Sequence, residues 1–164
     1  MSIKPDAEKK LSAAYEKYSD MLFRIALTQT GNREDASDAV HDVFLKFYSI
    51  RPDFKNDEHE RAWFIRSTVN RCHDILRYKK IRSHSSLDEI SETVDDSDNS
   101  EEVNQLNRAL ASIPEKYRIA VTLHHLEGFS VEETAEILKT GVSAVKMRLS
   151  RGREMIKKYI ETED

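Results

Sequence analysis

Apolar side chains recur along this chain almost throughout with the period of a helix. Leu11, Tyr15, Tyr18, Leu22, Ile25 and Ala26 share one face, and Gly31-Asn32 ends the helix they predict. Ala36, Ala39, Val40, Val43, Phe44 and Phe47 make a second apolar stripe, after which Pro52 and the polar run KNDEHE predict a loop. A third helix is predicted from about Glu58 to Arg77, with Ala62, Ile65, Val69, Cys72 and Leu76 on its core face. No segment alternates with the two-residue period of a strand for long enough to suggest a sheet.

Residues 83–101 break the pattern with serine, acid and few large apolar groups, a composition that buries too little to offset its ordering entropy. Helical periodicity resumes at about Glu102, where Val103, Leu106 and Leu110 share a face, and Ile113-Pro114 starts a new helix. Tyr117, Ala120, Val121, Leu123, His124 and Leu126 follow, up to Gly128. Ser130 with Glu133 predicts a capping box, in which the hydroxyl caps a free helix amide and the carboxylate reaches back. Thr140-Gly141 then interrupts the pattern before a longer basic helix. Short helix, tight turn and longer basic helix are the order of a helix-turn-helix. The expected fold is all-α: a helical module over 1–82, a flexible acidic linker over 83–101, and a helix-turn-helix module over 102–164.

Charge sharpens this picture. The net charge of −4 hides a segregated pattern. Residues 61–86 carry seven bases against Asp74 alone, residues 87–102 carry eight acids and no base, and residues 139–158 carry seven bases against Glu154 alone. Such blocks speak of partners more than of fold. Hydrophobic residues at 38% and charged residues at 34% favour small cores with much surface. No apolar run approaches the roughly 20 residues of a membrane helix, and MSIKPDAEKK holds no signal-peptide core. The single cysteine, Cys72, excludes an intramolecular disulfide and fits a reducing cytoplasm; on a core stripe it reads as a small buried hydrophobe. The six histidines show no metal-ligand spacing, so neither metal nor cofactor is expected.

On the last helix, Val145, Leu149, Gly152 and Ile156 fall on an inward stripe. Ser143, Met147, Ser150, Arg151 and Glu154 lie opposite, with Lys146 on a shoulder. Lysine, arginine and serine on such a face suit base edges in a major groove, while Arg148 and Arg153, flanking the buried stripe, suit phosphates. A merely solvated basic helix is the alternative. On the helix predicted over 58–77, Trp63, Ser67, Asn70, Arg71 and Asp74 lie away from the core stripe, with Arg66 and Arg77 on the shoulder. A ring and amides among arginines suit unpaired bases, which stack and expose their hydrogen-bonding edges. Trp63 suits equally the capping of a neighbouring helix.

The order DASDAVHDVFLKFY, RAWFIRSTVNRCHDILR, LNRALASIPEKYRIAVTLHHLEGFSVEETAEIL and VSAVKMRLSRGREMI resembles the extracytoplasmic-function (ECF) sigma factors of bacterial RNA polymerase. Residues 11–82 resemble their region 2 and residues 102–160 their region 4. The resemblance implies that the helix over 35–48 docks on the clamp helices of the largest polymerase subunit, through Asp38, His41, Asp42, Phe44 and Leu45. His41-Asp42 stands where the family usually has Gln-Glu. It implies that Phe54 and Lys55 of the loop, with Arg66, Ser67 and Asn70, capture a non-template base of the melted −10 element, Arg71 lying on the same basic face. Trp63 aligns with a wedge-like aromatic of primary sigma factors. In region 4 it implies −35 readout by Ser143, Lys146, Met147, Ser150 and Arg151, backbone contacts from Arg148 and Arg153, and docking on the flap of the second subunit. Lys139 stands where the turn often has glycine, and Gly141 where serine or proline often opens the recognition helix, so a shifted turn is expected. Promoter DNA and core polymerase are the implied partners, an anti-sigma factor is a further one the family admits, and no active site is implied. The acidic linker, with its strong negative charge, suits a basic polymerase channel.

Two other readings remain to be weighed. A stand-alone helix-turn-helix regulator of duplex DNA leaves the Trp63–Asn70 face and the stripe over 35–48 without a purpose. A hydrolase or metal enzyme built on His41, His59 or His73 finds no nucleophile–base or ligand spacing.

Overall fold

The computed structural model describes residues 5–85 and 100–163. The linker expected over 83–101 lies, at 86–99, outside the described residues, and with it the channel reading of its charge. Among the described residues all regular structure is helical: α1 Pro5–Thr30, α2 Arg33–Ile50, α3 Asp57–Ser85, α4 Glu101–Ser112, α5 Glu115–Val121, α6 Val131–Leu138 and α7 Val142–Glu163. A π-helical turn, Thr122–Leu126, continues α5.

Local chemistry sets the boundaries. Gly31, at φ 66°, ends α1 by donating its N–H to Leu27 O at 2.8 Å. Asn32 then caps α2 by accepting from Asp35 N at 2.9 Å. Arg51 closes α2 in the left-handed conformation, and Asn56 accepts from His59 N at 2.8 Å as α3 begins. Helix α3 starts inside the run KNDEHE and continues to Ser85, eight residues past the expected Arg77. Nothing between Arg77 and Ser85 is a helix breaker, and Lys79 is ion-paired to Asp35 of α2.

Helices α1, α2 and α3 pack around Phe64, which has no exposed surface. Its ring lies 4.7 Å from Tyr18, 5.0 Å from Phe47, 5.3 Å from Phe44 and 5.1 Å from Trp63, within the 4.5–7 Å range of favourable aromatic pairs. Phe64 lies outside the stripe expected for this helix, and Thr68 beside it is equally buried. Ala62, Ile65 and Cys72 are buried as expected, whereas Val69 is only partly so. The reason is that α3 is covered on two sides, by α1 and α2 on one and by the second module on the other. Its buried arc is therefore wider than a single stripe.

The second module folds about Leu110, Tyr117, Ala120, Val121, Ala135, Val145 and Leu149. Val103, expected on the inward face of α4, is 43% exposed; Asn104 and Ala109 are buried instead. Gly152 lets α7 approach α5, since a Cβ there would sit 2.8 Å from Val121 Cγ2. The capping box forms in full, with Glu133 N donating to Ser130 Oγ at 3.0 Å and Ser130 N to Glu133 Oε1 at 2.9 Å. The two modules do not stand apart. Ile119, Leu123, Phe129 and Ile137 of the second module belong to the same continuous apolar cluster as Leu22, Phe64 and Ile65 of the first.

Candidate nucleic-acid interfaces

Helix α7 turns Val145 and Leu149 inward and leaves Ser143, Lys146, Met147, Ser150, Arg151 and Arg153 exposed, with Arg148 half-buried. This is the division that a groove-reading helix needs. Two of these arginines already have neighbours. Arg153 donates to His125 Nε2 at 3.2 Å. Burial first, then His124 and Arg153, pushes the His125 pKa below its ordinary value, so that ring favours its neutral form. A hydrogen bond from Arg151 lowers the pKa of the Tyr117 phenol, which ties Arg151 to α5. The turn before α7 is retained: Lys139 takes the left-handed conformation at φ 53°, and Val145 N donates to Gly141 O at 3.1 Å as α7 starts.

Along α3, Asn70 is exposed and Trp63 half-buried. Phe54 holds the Trp63 edge at 5.9 Å and Lys46 lies 5.7 Å from the Trp63 ring. Trp63 thus packs on α2 and on the loop while keeping one side in solvent. Lys55 is exposed, with its backbone N–H on His59 Nδ1 at 3.2 Å. Ser67 is only 8% exposed, Arg71 is paired to Asp42, and Arg66 donates to Ile137 O of the second module at 3.3 Å. Of the residues expected to face DNA here, Asn70 and Lys55 are the freest, and Ser67 and Arg66 are covered.

On α2, Asp38, His41 and Leu45 form an exposed stripe, with Leu45 at 55%. Beside it runs a groove between α1 and α2 lined by Tyr15, Phe23, Val40 and His41. Two residues expected on this docking face have partners within the module. Phe44 is 5% exposed and belongs to the core, because its ring packs on Phe64 and Tyr15. Asp42, about two-fifths exposed, is engaged by Arg71 of α3.

Residues 14–81 match the family profile of Sigma-70 region 2, and residues 104–156 that of Sigma-70 region 4. The sigma-E factor of Escherichia coli, an ECF RNA polymerase sigma factor, is 31% identical over 143 residues, covering 77% of this chain and 74% of that protein. The chain belongs to the ECF sigma factors. SigM of Mycobacterium tuberculosis is 28% identical over 146 residues, 89% of this chain and 74% of SigM. SigW of Bacillus subtilis is 26% identical over 158 residues, 87% of this chain and 84% of SigW. Two solved structures share the fold. The Bartonella quintana sigma factor RpoE, crystallised with the anti-sigma factor NepR, superposes with a TM-score of 0.79 at 21% identity, over 95% of this chain and 99% of that one. CnrH, in complex with the cytosolic domain of CnrY, gives 0.73 at 20% identity, over 96% and 91%.

Regions 2 and 4 of this sigma factor are joined by contacts that sequence reasoning missed. Arg24 donates twice to the Glu127 carboxylate, at 2.9 and 3.2 Å. Arg61 donates to Glu133 at 3.0 Å and lies 4.8 Å from the Phe129 ring, and His73 meets Glu115. A buried polar cluster sits between these pairs. Gln29 Nε2 donates to Thr122 Oγ1 and Arg118 Nε to Gln29 Oε1, both at 3.4 Å. One sequence signal was available: Glu127, Glu132, Glu133 and Glu136 form an acidic patch ahead of the basic α7, complementary to the bases of α3. Among the described residues, no helix is long and apolar enough to cross a membrane.

Proposed function

We propose that this chain carries core RNA polymerase to its promoters and helps to open them, and that it performs no chemistry of its own. In this reading region 2 docks on the clamp helices of the largest subunit through the exposed stripe Asp38, His41 and Leu45. The face of Asn70, Trp63 and Lys55, with Phe54, Arg66, Ser67 and Arg71 about it, captures an unstacked base of the −10 element. Unstacking costs a few kcal/mol per step, which pocket contacts can offset. Region 4 sets Lys146, Met147, Ser150 and Arg151 into the major groove of the −35 element, with Ser143 at the helix start and Arg148 and Arg153 on phosphates. Its other partner is the flap of the second subunit. The work is cytoplasmic, where polymerase acts. Residues 1–82, 83–101 and 102–164 are the units of this division of labour.

The observation that carries the reading is the pair of family matches in one chain, each taking in a basic helix with exposed polar side chains at its C-terminal end. A regulator of duplex DNA alone has use for α7 but none for region 2. Pull-down of purified core polymerase tests the claim. The parent chain should retain core, and Asp38→Arg with Leu45→Arg should abolish retention with helicity intact by circular dichroism. Failure of the parent chain to bind core would overturn the reading.

A further inference from the structure

One histidine fastens the loop between α2 and α3 to the helix that follows it. Asn56 caps α3: its side-chain oxygen accepts from His59 N at 2.8 Å and its carbonyl from Glu60 N at 3.2 Å. His59, three residues past that cap, reaches back, and its Nδ1 accepts from the Lys55 backbone N–H at 3.2 Å. The pattern is that of a capping box, with imidazole where glutamate or glutamine usually stands and a reach one residue longer. The His59 ring also packs edge to face with Phe54, centroids 5.4 Å apart and planes at 88°.

This bond fixes the state of the ring. A backbone N–H can only donate, so Nδ1 must offer a lone pair, and the neutral imidazole carries its proton on Nε2. A ring protonated on both nitrogens could not hold the loop in this way.

The post that carries the histidine is itself anchored. Glu60, beside His59, accepts from the Tyr18 hydroxyl of α1 at 2.7 Å, which ties the first turn of α3 to the core of its module. At the other end of the loop, Arg51 closes α2 in the left-handed conformation and donates its N–H to Phe47 O at 2.9 Å. Between these fixed ends the chain has few residues, and His59 engages two of them. They are Phe54 and Lys55, the loop residues that the promoter reading sets about the unstacked base. Phe54 in turn lies 5.9 Å from the Trp63 ring. A loop held in shape beforehand spares a ligand the entropic cost of ordering it on binding.

We propose that His59 is a positioning residue for base capture, holding the loop in its capturing shape through the Nδ1 acceptor on the Lys55 amide. It touches no base itself. The inference rests on the promoter reading above and deepens it, and its structural half is tested without polymerase.

Two substitutions separate the acceptor from the ring. His59→Asn keeps an acceptor, since the amide oxygen stands as many bonds from Cβ as imidazole Nδ1 does, and loses the ring. His59→Phe keeps a ring and loses the acceptor; His59→Ala is a second acceptor-free variant should the phenyl group disturb the turn. Hydrogen exchange of the full chain, followed by NMR, reads the loop. The Lys55 amide should exchange about fivefold faster in the acceptor-free variants than in the parent, as the loss of one hydrogen bond implies. His59→Asn should stay near the parent. The second readout is the opening rate of a duplex promoter, mapped beforehand by run-off transcription, with each chain bound to core polymerase. It should fall about fivefold without the acceptor and be retained by His59→Asn. Retention of core, and initiation on a pre-melted bubble lacking the captured base, should be alike in all. A defect of folding alone would instead lower both and would not be rescued by asparagine.

Lys55 exchange alike in every variant, acceptor-free variants that open duplex promoters like the parent, or His59→Asn as impaired as His59→Phe would each overturn the proposal and leave the promoter reading standing. A parent chain that directs no initiation would overturn the promoter reading, and this inference with it.

Discussion

Arg71 Nε donates to Asp42 Oδ2 at 2.7 Å, tying the helix with the exposed stripe Asp38–His41–Leu45 to the helix with Asn70. Each side chain is about two-fifths exposed, so the pair adds at most about 1 kcal/mol to stability. Its consequence is one of position. Asp42 is engaged by α3, and Arg71 is held at the edge of the face proposed for the −10 element.

The first prediction follows from this pair. Asp42→Ala should leave retention of core polymerase nearly intact while lowering initiation on duplex promoters. Arg71→Ala should show the same initiation defect, and the double substitution should add little to either, as expected of partners in one interaction. Loss of core binding by Asp42→Ala alone would return Asp42 to the docking surface.

Readout by α7 gives a second prediction. Lys146 and Arg151 should govern sequence choice, whereas Arg148 and Arg153 should govern affinity for any sequence. Loss of a good base contact should cost about 1–3 kcal/mol and relax preference at one or two −35 positions. Loss of a phosphate contact should lower affinity evenly and reduce the log–log salt slope by about 1. Holoenzyme titrated with salt across a library of −35 point variants separates the two. A uniform loss with Arg151→Ala would leave its tie to Tyr117 as a structural one only.

Two backbone positions yield opposite changes in stability. Gly152→Ala drives a methyl to within 2.8 Å of Val121 Cγ2, which overpacks the α5–α7 contact. Overpacking costs about 1–3 kcal/mol, of which helix propensity returns about 1. Lys139 sits at φ 53°, a conformation that disfavours a Cβ, so Lys139→Gly should stabilise the turn by about 0.5–1 kcal/mol. Thermal melts should show a lower Tm for the first and a rise of about 2–4 °C per kcal/mol for the second.

Glu133 links stability to pH. Hydrogen bonds from the Ser130 backbone and hydroxyl, then the nearby Arg61, hold its carboxyl below the ordinary value of 4.5. A depressed pKa stabilises the folded chain above the unfolded value, and the contribution is lost as pH falls through the folded one. The parent should therefore lose stability more steeply below pH 4.5 than Glu133→Gln, and the two slopes should be alike at neutral pH. Melting curves measured from about pH 7 down to about pH 3 check this.

What the sequence made legible was local. The capping box at Ser130, the inward stripe of α7 and the six buried positions of α2 are set by residues a turn or two apart. Phe64 escaped because periodicity reports one buried face, and α3 has neighbours on two sides. The burial of Phe44 and the pairing of Asp42 depend on where α3 lies, which α2 alone does not record. The contact between the regions was least visible. Its ion pairs join residues 103 and 72 positions apart, and charge complementarity names the surfaces without pairing them. Cys72, by contrast, was read correctly as buried, and burial pushes its thiol up to about 12, out of reach of thiolate chemistry at neutral pH.

The account turns on promoter-directed initiation, and run-off transcription measures it most directly. Purified core polymerase is incubated with genomic fragments, with and without the full chain, and the 5′ ends of the transcripts are mapped. The account predicts discrete start sites that appear only with the chain, share upstream motifs near −10 and −35, and are weakened by Asn70→Ala. Restoration of Asn70→Ala activity on a template with a pre-melted bubble lacking the captured base would place Asn70 in opening. Transcripts no different from those of core alone, from a chain that binds duplex DNA, would contradict the account and leave a helix-turn-helix regulator in its place.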